Sequence, residues 1–407
     1  MKKRLLSIFL CLCMVFGLVP ATVWAETTNG HTHYLCGGST CNGSGHATES
    51  SKTTFATEIT QSGSTLKIGD ESWALTKVSN NEFYILPAGT YYLGSDISPN
   101  YTIRIEENVT LCLNGHKITG ANGMDAIKLT GGSFTLTDCQ NSGKITHASG
   151  NTGRGVYVDR GTFNMYGGSI TGNTANSYGG GVYVSSSTFN MFGGSITGNN
   201  ANNDGDGGGV YVKGSNSSFY MYGGSIGGNN ANEPNTATYG GGVYVLSGTF
   251  YMSGGSITGN NADRGGGVEM YSGNFTMKDS ASITGNNAAG GGGVYMVNGT
   301  FGMTGGSITG NNAVYGSGVY VNGGEFAMSD NAKITNNICK SSDDNRLGGG
   351  VYVGGGNFTM KDSASISGNC VKRGGGVYVG GGNFTMKDSA SITCLLYTSD
   401  AADARIS

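Results

Sequence analysis

The chain has 407 residues, of which 76 are glycine and only 4 proline, with 12% charged residues and a formal net charge of −3. So little charge excludes a self-repelling disordered chain, and the scarcity of proline and lack of a strict three-residue glycine period exclude collagen. The weak negative balance gives no electrostatic footprint for nucleic acid or an anionic membrane.

Residues 1–25 read as an export signal. Lys2, Lys3 and Arg4 form its basic start, Leu5 to Val19 its apolar stretch, and Val23-Trp24-Ala25 the cleavage site before Glu26. The expected location is therefore secreted or cell surface, outside the cell. A membrane anchor needs about 20 apolar residues, and Pro20 and Thr22 interrupt the run before that, so no membrane span is expected in the mature chain. Residues 26–72 form a Cys/His-containing N-terminal segment. His31, His33, Cys36, Cys41 and His46 fall within sixteen residues, enough for a tetrahedral zinc site of two cysteines and two histidines. A Cys36–Cys41 disulfide, natural in an exported chain, is the rival reading, and a segment with neither is the third.

Residues 73–126 read as a cap and a first coil, and residues 127–393 as a repeat. From Gly155 onward one unit recurs: Gly-Val-Tyr-Val, a polar link, Phe-x-Met, then Gly-Gly-Ser-Ile-Thr-Gly-Asn-Asn-Ala and a glycine-rich return. Its opening valine stands at Val156, Val182, Val210, Val243, Val268, Val294, Val319, Val351 and Val377, with steps of 26, 28, 33, 25, 26, 25, 32 and 26 residues. Valine to phenylalanine is seven residues in every copy except Val210 to Phe219, so the length variation falls mostly in the return. Each short segment alternates: Val156 and Val158 share one face and Tyr157 the other, Phe163 and Met165 share a face, and Ile170 stands between Ser169 and Thr171. Three half-buried strands per repeat, head to tail, predict an all-β parallel β-helix with one coil per repeat and the apolar residues stacked as interior columns. Two weaker coils precede the clear ones, through Ile103, Leu111 and Ile118 and through Ile127, Phe134 and Ile145, giving about eleven.

Gly-Gly-Gly-Val-Tyr-Val, Phe-Thr-Met and Gly-Gly-Ser-Ile-Thr-Gly-Asn-Asn-Ala resemble the repeats of right-handed β-helix surface and adhesin-like proteins of gut bacteria and archaea. The stretch from Gly89-Thr90-Tyr91-Tyr92-Leu93 to Leu113-Asn114-Gly115-His116 is similar to their cap and first coils. The resemblance runs from about Trp73 to Thr393 and implies a pectate-lyase-like superfold. It implies little about activity, because that scaffold carries adhesins, polysaccharide lyases and phage depolymerases alike.

Two outward columns follow from the repeat. Tyr157, Tyr183, Tyr211, Tyr244, Tyr295, Tyr320, Tyr352 and Tyr378, interrupted by Glu269, form either an aromatic strip for sugar rings or another partner, or a packing device of the parallel sheet. Asn173, Asn199, Asn229, Asn260, Asn286, Asn311, Asn336 and Asn369 are expected as a ladder of stacked amides. Longer returns at Asn202–Asp206, Asn232–Tyr239 and Cys339–Leu347 would project from one edge, and Asp204 with Asp206 is a partial oxygen set for calcium. A lyase or glycosidase would need carboxylates, or a basic residue beside acidic ones, converging on adjacent coils. Asp159, Arg160, Asp263, Arg264 and Glu269 are scattered, while Lys278-Asp279, Lys361-Asp362 and Lys387-Asp388 recur with a motif variant and read as solvated pairs. Of the remaining cysteines, Cys112, Cys139, Cys339 and Cys370, the last two follow the same turn on adjacent coils, as a bridge or as thiols.

The repeat stops in mid-coil at Thr393, and Cys394-Leu395-Leu396-Tyr397-Thr398-Ser399 reads as the translation of a transposon-end adapter used in preparing sequencing libraries. Residues 394–407 are thus expected to be an artefactual tail, with the natural chain continuing beyond Thr393. The expected function is an adhesin-like or structural display rod, without catalysis, that binds glycans or other surface partners. The alternative is a pectate-lyase-like polysaccharide-degrading enzyme.

Overall fold

A computed structural model describes residues 26–27, 30–33, 53–55, 57–78, 81–202, 204–228, 233–339, 347–371 and 373–393. These residues are all-β, with no helix among them. They wind into a parallel β-solenoid of eleven coils, counted by the eleven strands of its third sheet. At about 4.8 Å per coil the solenoid is about 50 Å long.

The three predicted strands of each repeat line three long sheets. Val156–Val158 belongs to the first, Thr162–Met165 to the second and Ser169–Thr171 to the third. Pairing is parallel and in register from coil to coil: Val156 faces Val182, Phe163 faces Phe189, and Ile170 faces Ile196. Because every coil has the same alternation, this register puts every inward side chain on its own copy above and below. The phenylalanine rings from Phe134 to Phe358 stack at 4.5–5.2 Å between centroids and within 10° of parallel. Valine, methionine and isoleucine columns fill the rest of one continuous core.

At the N-terminal end, the antiparallel strands Thr57–Ser62, Thr65–Ile68 and Glu71–Ser72 extend the second sheet. Trp73 closes over the first coil there, its indole N–H donating to the Ile85 carbonyl at 2.9 Å. The glycines have a steric role in the returns. Gly265 takes φ +61°, and a Cβ on Gly266 or Gly267 would lie 2.6 Å from a carbonyl oxygen of the next coil, so only glycine lets the returns stack this closely.

The asparagine ladder is present with two corrections. Asn286 shows its unit. Its Oδ1 accepts from the Asn260 backbone N–H and Nδ2 at 2.9 Å each, and its own Nδ2 donates to Ile257 O and to Asn311 Oδ1 at 3.0 Å each. Between Asn199 and Asn260 the ladder residue is Asn235, not Asn229, which lies outside the described residues. Between Asn311 and Asn369 it is Asn337, not Asn336. Asn336 instead holds the preceding turn position at φ +54°, where most coils have glycine, a conformation that asparagine tolerates better than most residues. His147 heads the ladder, with Nδ1 2.8 Å from Asn173 Oδ1 and Nε2 3.0 Å from Met124 O.

The structure adds a fourth, short sheet in the returns, formed by Thr174–Ala175, Asn200–Ala201, Thr236–Tyr239 and Asn261–Arg264. Its line continues through single parallel bridges, so that Tyr178, Asp206, Tyr239, Arg264, Gly290, Tyr315, Leu347 and Arg373 follow one another coil by coil. The three longer returns all regain this register, at Asp206, Tyr239 and Leu347.

Candidate functional site

The tyrosine column points away from the core but is only partly open. Tyr183, Tyr211, Tyr244 and Tyr295 are buried, at 3–8% exposure, whereas Tyr157, Tyr320, Tyr352 and Tyr378 are half-buried. The return column covers them: Tyr178 stacks on Tyr211 at 4.9 Å, Arg154 lies over Tyr183 at 4.8 Å, and Arg264 lies over Tyr295 at 5.0 Å. Tyr183, Tyr211 and Tyr244 form a second small core with Tyr239 and Leu246 against them. Neighbouring rings also cover one another, as between Tyr211 and Tyr244 at 5.3 Å and 2°. The expected outward strip is thus closed to a stacked sugar over its middle coils.

At the gap in that column, two of the scattered charges, Arg264 and Glu269, meet beside Asp206. Glu269 is fully buried between Tyr244 and Tyr295, its two pairing neighbours. Arg264 Nη2 lies 3.1 Å from Glu269 Oε1, yet neither Glu269 oxygen has a well-aligned hydrogen bond. Burial pushes the Glu269 carboxyl up to about 8, against a partial lowering by Arg264 and with a further push from Asp206. Asp206, 9% exposed, is itself pushed up to about 6 by burial. Burial, aided by Asp159, likewise pushes the Tyr157 hydroxyl to about 12. The other catalytic candidates lie apart: Asp159 accepts from the Tyr157 hydroxyl at 3.2 Å four coils away, and Asp263 is exposed. Lys278–Asp279 and Lys361–Asp362 are exposed pairs at 3.7 and 3.5 Å.

Asp204 is exposed and Asp206 turns inward, so the two carboxylates do not form an oxygen cage. Among the described residues no group of three or more His, Cys, Asp or Glu is placed to hold a metal ion. Of the zinc candidates, His31 and His33 lie on the strand Gly30–His33, and Cys36, Cys41 and His46 lie outside the described residues. Cys339 and Cys370 are joined by a backbone bond, Cys339 N–H to Cys370 O at 3.3 Å.

A second aromatic row, not singled out in the sequence, is more open. The residue after Phe-x-Met is Tyr166, Phe192 and Tyr222 in three successive repeats, and x itself is Tyr220 and Tyr251. Tyr166, Phe192 and Tyr222 stack at 4.6 and 5.1 Å, each pair 13° from parallel. The stack then opens. Tyr220 and Tyr222 lie 9° from parallel with centroids 6.3 Å apart, and Tyr251 tilts 54–55° from both at about 6 Å. Tyr222 is 45% exposed, and the Lys278 ammonium sits 5.2 Å from the Tyr251 ring centre. The usable signal was the departure from the repeat, since an aromatic residue at a variable outward position is not required by the columns.

No family model, curated protein or solved structure matches the chain.

Proposed function

We propose that this chain is an exported, adhesin-like display rod that binds glycans through the open aromatic corner of Tyr220, Tyr222 and Tyr251, without catalysis of its own. One observation carries the reading. At this corner three aromatic rings from adjacent coils meet within 6.3 Å of one another, with Tyr222 45% exposed and Tyr220 and Tyr251 half-buried, whereas the other exposed tyrosines, Tyr178 and Tyr271, stand elsewhere in the coil. Tyrosine suits a sugar because its ring takes the apolar C–H face and its hydroxyl meets the hydroxyl groups. Asn190 and Thr276 flank the corner in register with Tyr220 and Tyr251 and add polar contacts beside the rings. Glu269, whose carboxyl burial pushes up, lies beneath the return column, and Asp206 stands in that column, both away from this face, which favours binding over bond cleavage.

A glycan array with the full chain tests the reading. The expected result is retention of a defined set of glycans and a loss of about tenfold or more in affinity for Tyr222→Ala, the scale of an exposed aromatic anchor, with an unchanged melting curve. Failure to retain any glycan, or equal affinity in a Tyr222→Ala Tyr251→Ala double variant, would overturn it. Bond cleavage in a parallel lyase assay on acidic polysaccharides would overturn the non-catalytic part.

A further inference from the structure

Two thiols on the first two coils meet without any role in the columns. Cys112 ends the strand Val109–Cys112, which pairs in parallel with Ser133–Thr137 so that Cys112 faces Thr137, and Cys139 follows two residues later. Their sulfur atoms are 3.7 Å apart. The turn between them is pinned by the buried Asp138 carboxylate, which accepts from the backbone N–H groups of Gly115 and Gly143 at 2.7 Å each. Asn114, at φ +50°, directs its backbone N–H to Cys112 Sγ at 3.3 Å and its side-chain oxygen to Cys139 Sγ at 3.3 Å. The two thiols differ in access: Cys112 is fully buried and Cys139 is half-buried. Burial, with Cys139 adding to it, pushes the Cys112 thiol well above the ordinary range.

We propose that Cys112 and Cys139 form a redox latch, closed by a disulfide that enters through Cys139 and ties the first two coils together. The oxidant is a small-molecule or protein disulfide, the reagent class of oxidising compartments outside the cytosol. The Cys139 thiolate attacks one sulfur of that disulfide, which breaks and releases one thiol, leaving a mixed disulfide on Cys139. Cys112 loses its proton and attacks the Cys139 sulfur, and the second thiol departs. The two protein thiols are oxidised and one external disulfide is reduced to two thiols. Entry at Cys139 follows from its access to solvent. Resolution by Cys112 follows from sulfur contact, with the Asn114 N–H aimed at the developing thiolate. The bond would close a loop of 28 residues, which makes opening of these coils less favourable by a factor on the order of a hundred.

Oxidised glutathione added to the reduced full chain, followed by peptide mapping, tests the latch. The wild type is expected to lose two hydrogens within a cross-linked pair of peptides containing Cys112 and Cys139. Cys112→Ser should instead accumulate one glutathione on Cys139, and Cys139→Ser should leave Cys112 unmodified. Limited proteolysis of the first coils should slow on oxidation and recover with dithiothreitol. Persistence of both thiols in the oxidised wild type, a stable glutathione adduct on wild-type Cys139, or a glutathione adduct on Cys112 in Cys139→Ser would overturn it.

Discussion

The asparagine column and the tyrosine column each place about one residue per coil along the same rod, and they differ in what holds them. Each ladder amide accepts two donors from the coil before and donates to the coil after, so every asparagine completes its neighbours' hydrogen bonding. The tyrosine column is held by ring packing and by the return column above it. A column of mutual hydrogen bonds tolerates no exception in its buried run, and none occurs from Asn173 to Asn369. A column of packed shapes does tolerate one, and Glu269 is that exception. Its cost is visible in two carboxylate oxygens without well-aligned donors.

The sharpest way to break the comparison is to remove one rung from each column. Asn286→Ala would strand the Asn260 N–H, take from Asn260 Nδ2 one of its two acceptors, and remove one donor each from the Ile257 carbonyl and Asn311 Oδ1, all in buried surroundings. At about 1–3 kcal/mol for each unsatisfied buried group, a loss of about 4 kcal/mol or more is expected, read as a large drop in the denaturation midpoint. The Asn286→Ala Asn311→Ala double variant should fall further. Tyr320→Ala, at a half-buried place in the other column, should cost clearly less. Equal losses at the two sites would show that the amide bonds contribute no more than packing.

The next effect is a dependence on pH centred on the gap in the tyrosine column. Glu269 holds its proton to about pH 8 in the fold against an ordinary value near 4.5, so the folded chain binds more protons than the unfolded one across that window. The resulting stability is fully present below about pH 4.5 and is lost as pH rises through 8. Asp206 acts in the same direction between its ordinary value near 3.8 and about 6. Melting temperature is expected to fall from pH 5 to pH 8, by the equivalent of a few kcal/mol. Glu269→Gln should flatten the slope between pH 6 and 8, whereas Asn286→Ala should lower the whole curve without changing its shape. A wild-type curve that rises over this interval would contradict the upward push that burial gives the Glu269 carboxyl at the gap.

The solenoid was legible because its signal is repeated: Val, Phe, Met and Ile recur at fixed spacing, and a two-residue alternation with that recurrence admits little besides stacked parallel strands. The ladder was mostly legible and slipped where the repeat departs from its pattern. After Ile226 the coil is extended, and the ladder resumes at Asn235-Thr236-Ala237; Asn229-Asn230-Ala231 carries the same Asn-x-Ala pattern at the usual three-residue distance from isoleucine, so local pattern did not separate the two, whereas Asn337 keeps that usual distance from Ile334. The closure of the tyrosine column was not legible. It depends on Tyr178, Asp206, Tyr239 and Arg264, which share a place in the coil but no residue type, so no periodic pattern announces them. The open corner at Tyr222 was missed for the opposite reason, since attention to what recurs passes over what differs.

The smallest prediction separates two adjacent asparagines. Asn336 and Asn337 have the same side chain and neighbouring backbone, but one holds a left-handed turn and the other a ladder rung. Asn336→Gly restores the residue most coils carry there. Relief of the left-handed backbone is then offset by the greater freedom of glycine in the unfolded chain, so the change should lie within about 0.5 kcal/mol. Asn336→Ala retains a Cβ in that conformation and should cost about 1 kcal/mol. Asn337→Ala should cost several times as much, because the Asn311 N–H and Nδ2 lose their shared acceptor and Ile308 O loses a donor. If urea midpoints ranked Asn336→Ala at or below Asn337→Ala, the ladder would run through Asn336. The expected order ties stability to the position of the amide in the coil, independent of the number of asparagines in the turn.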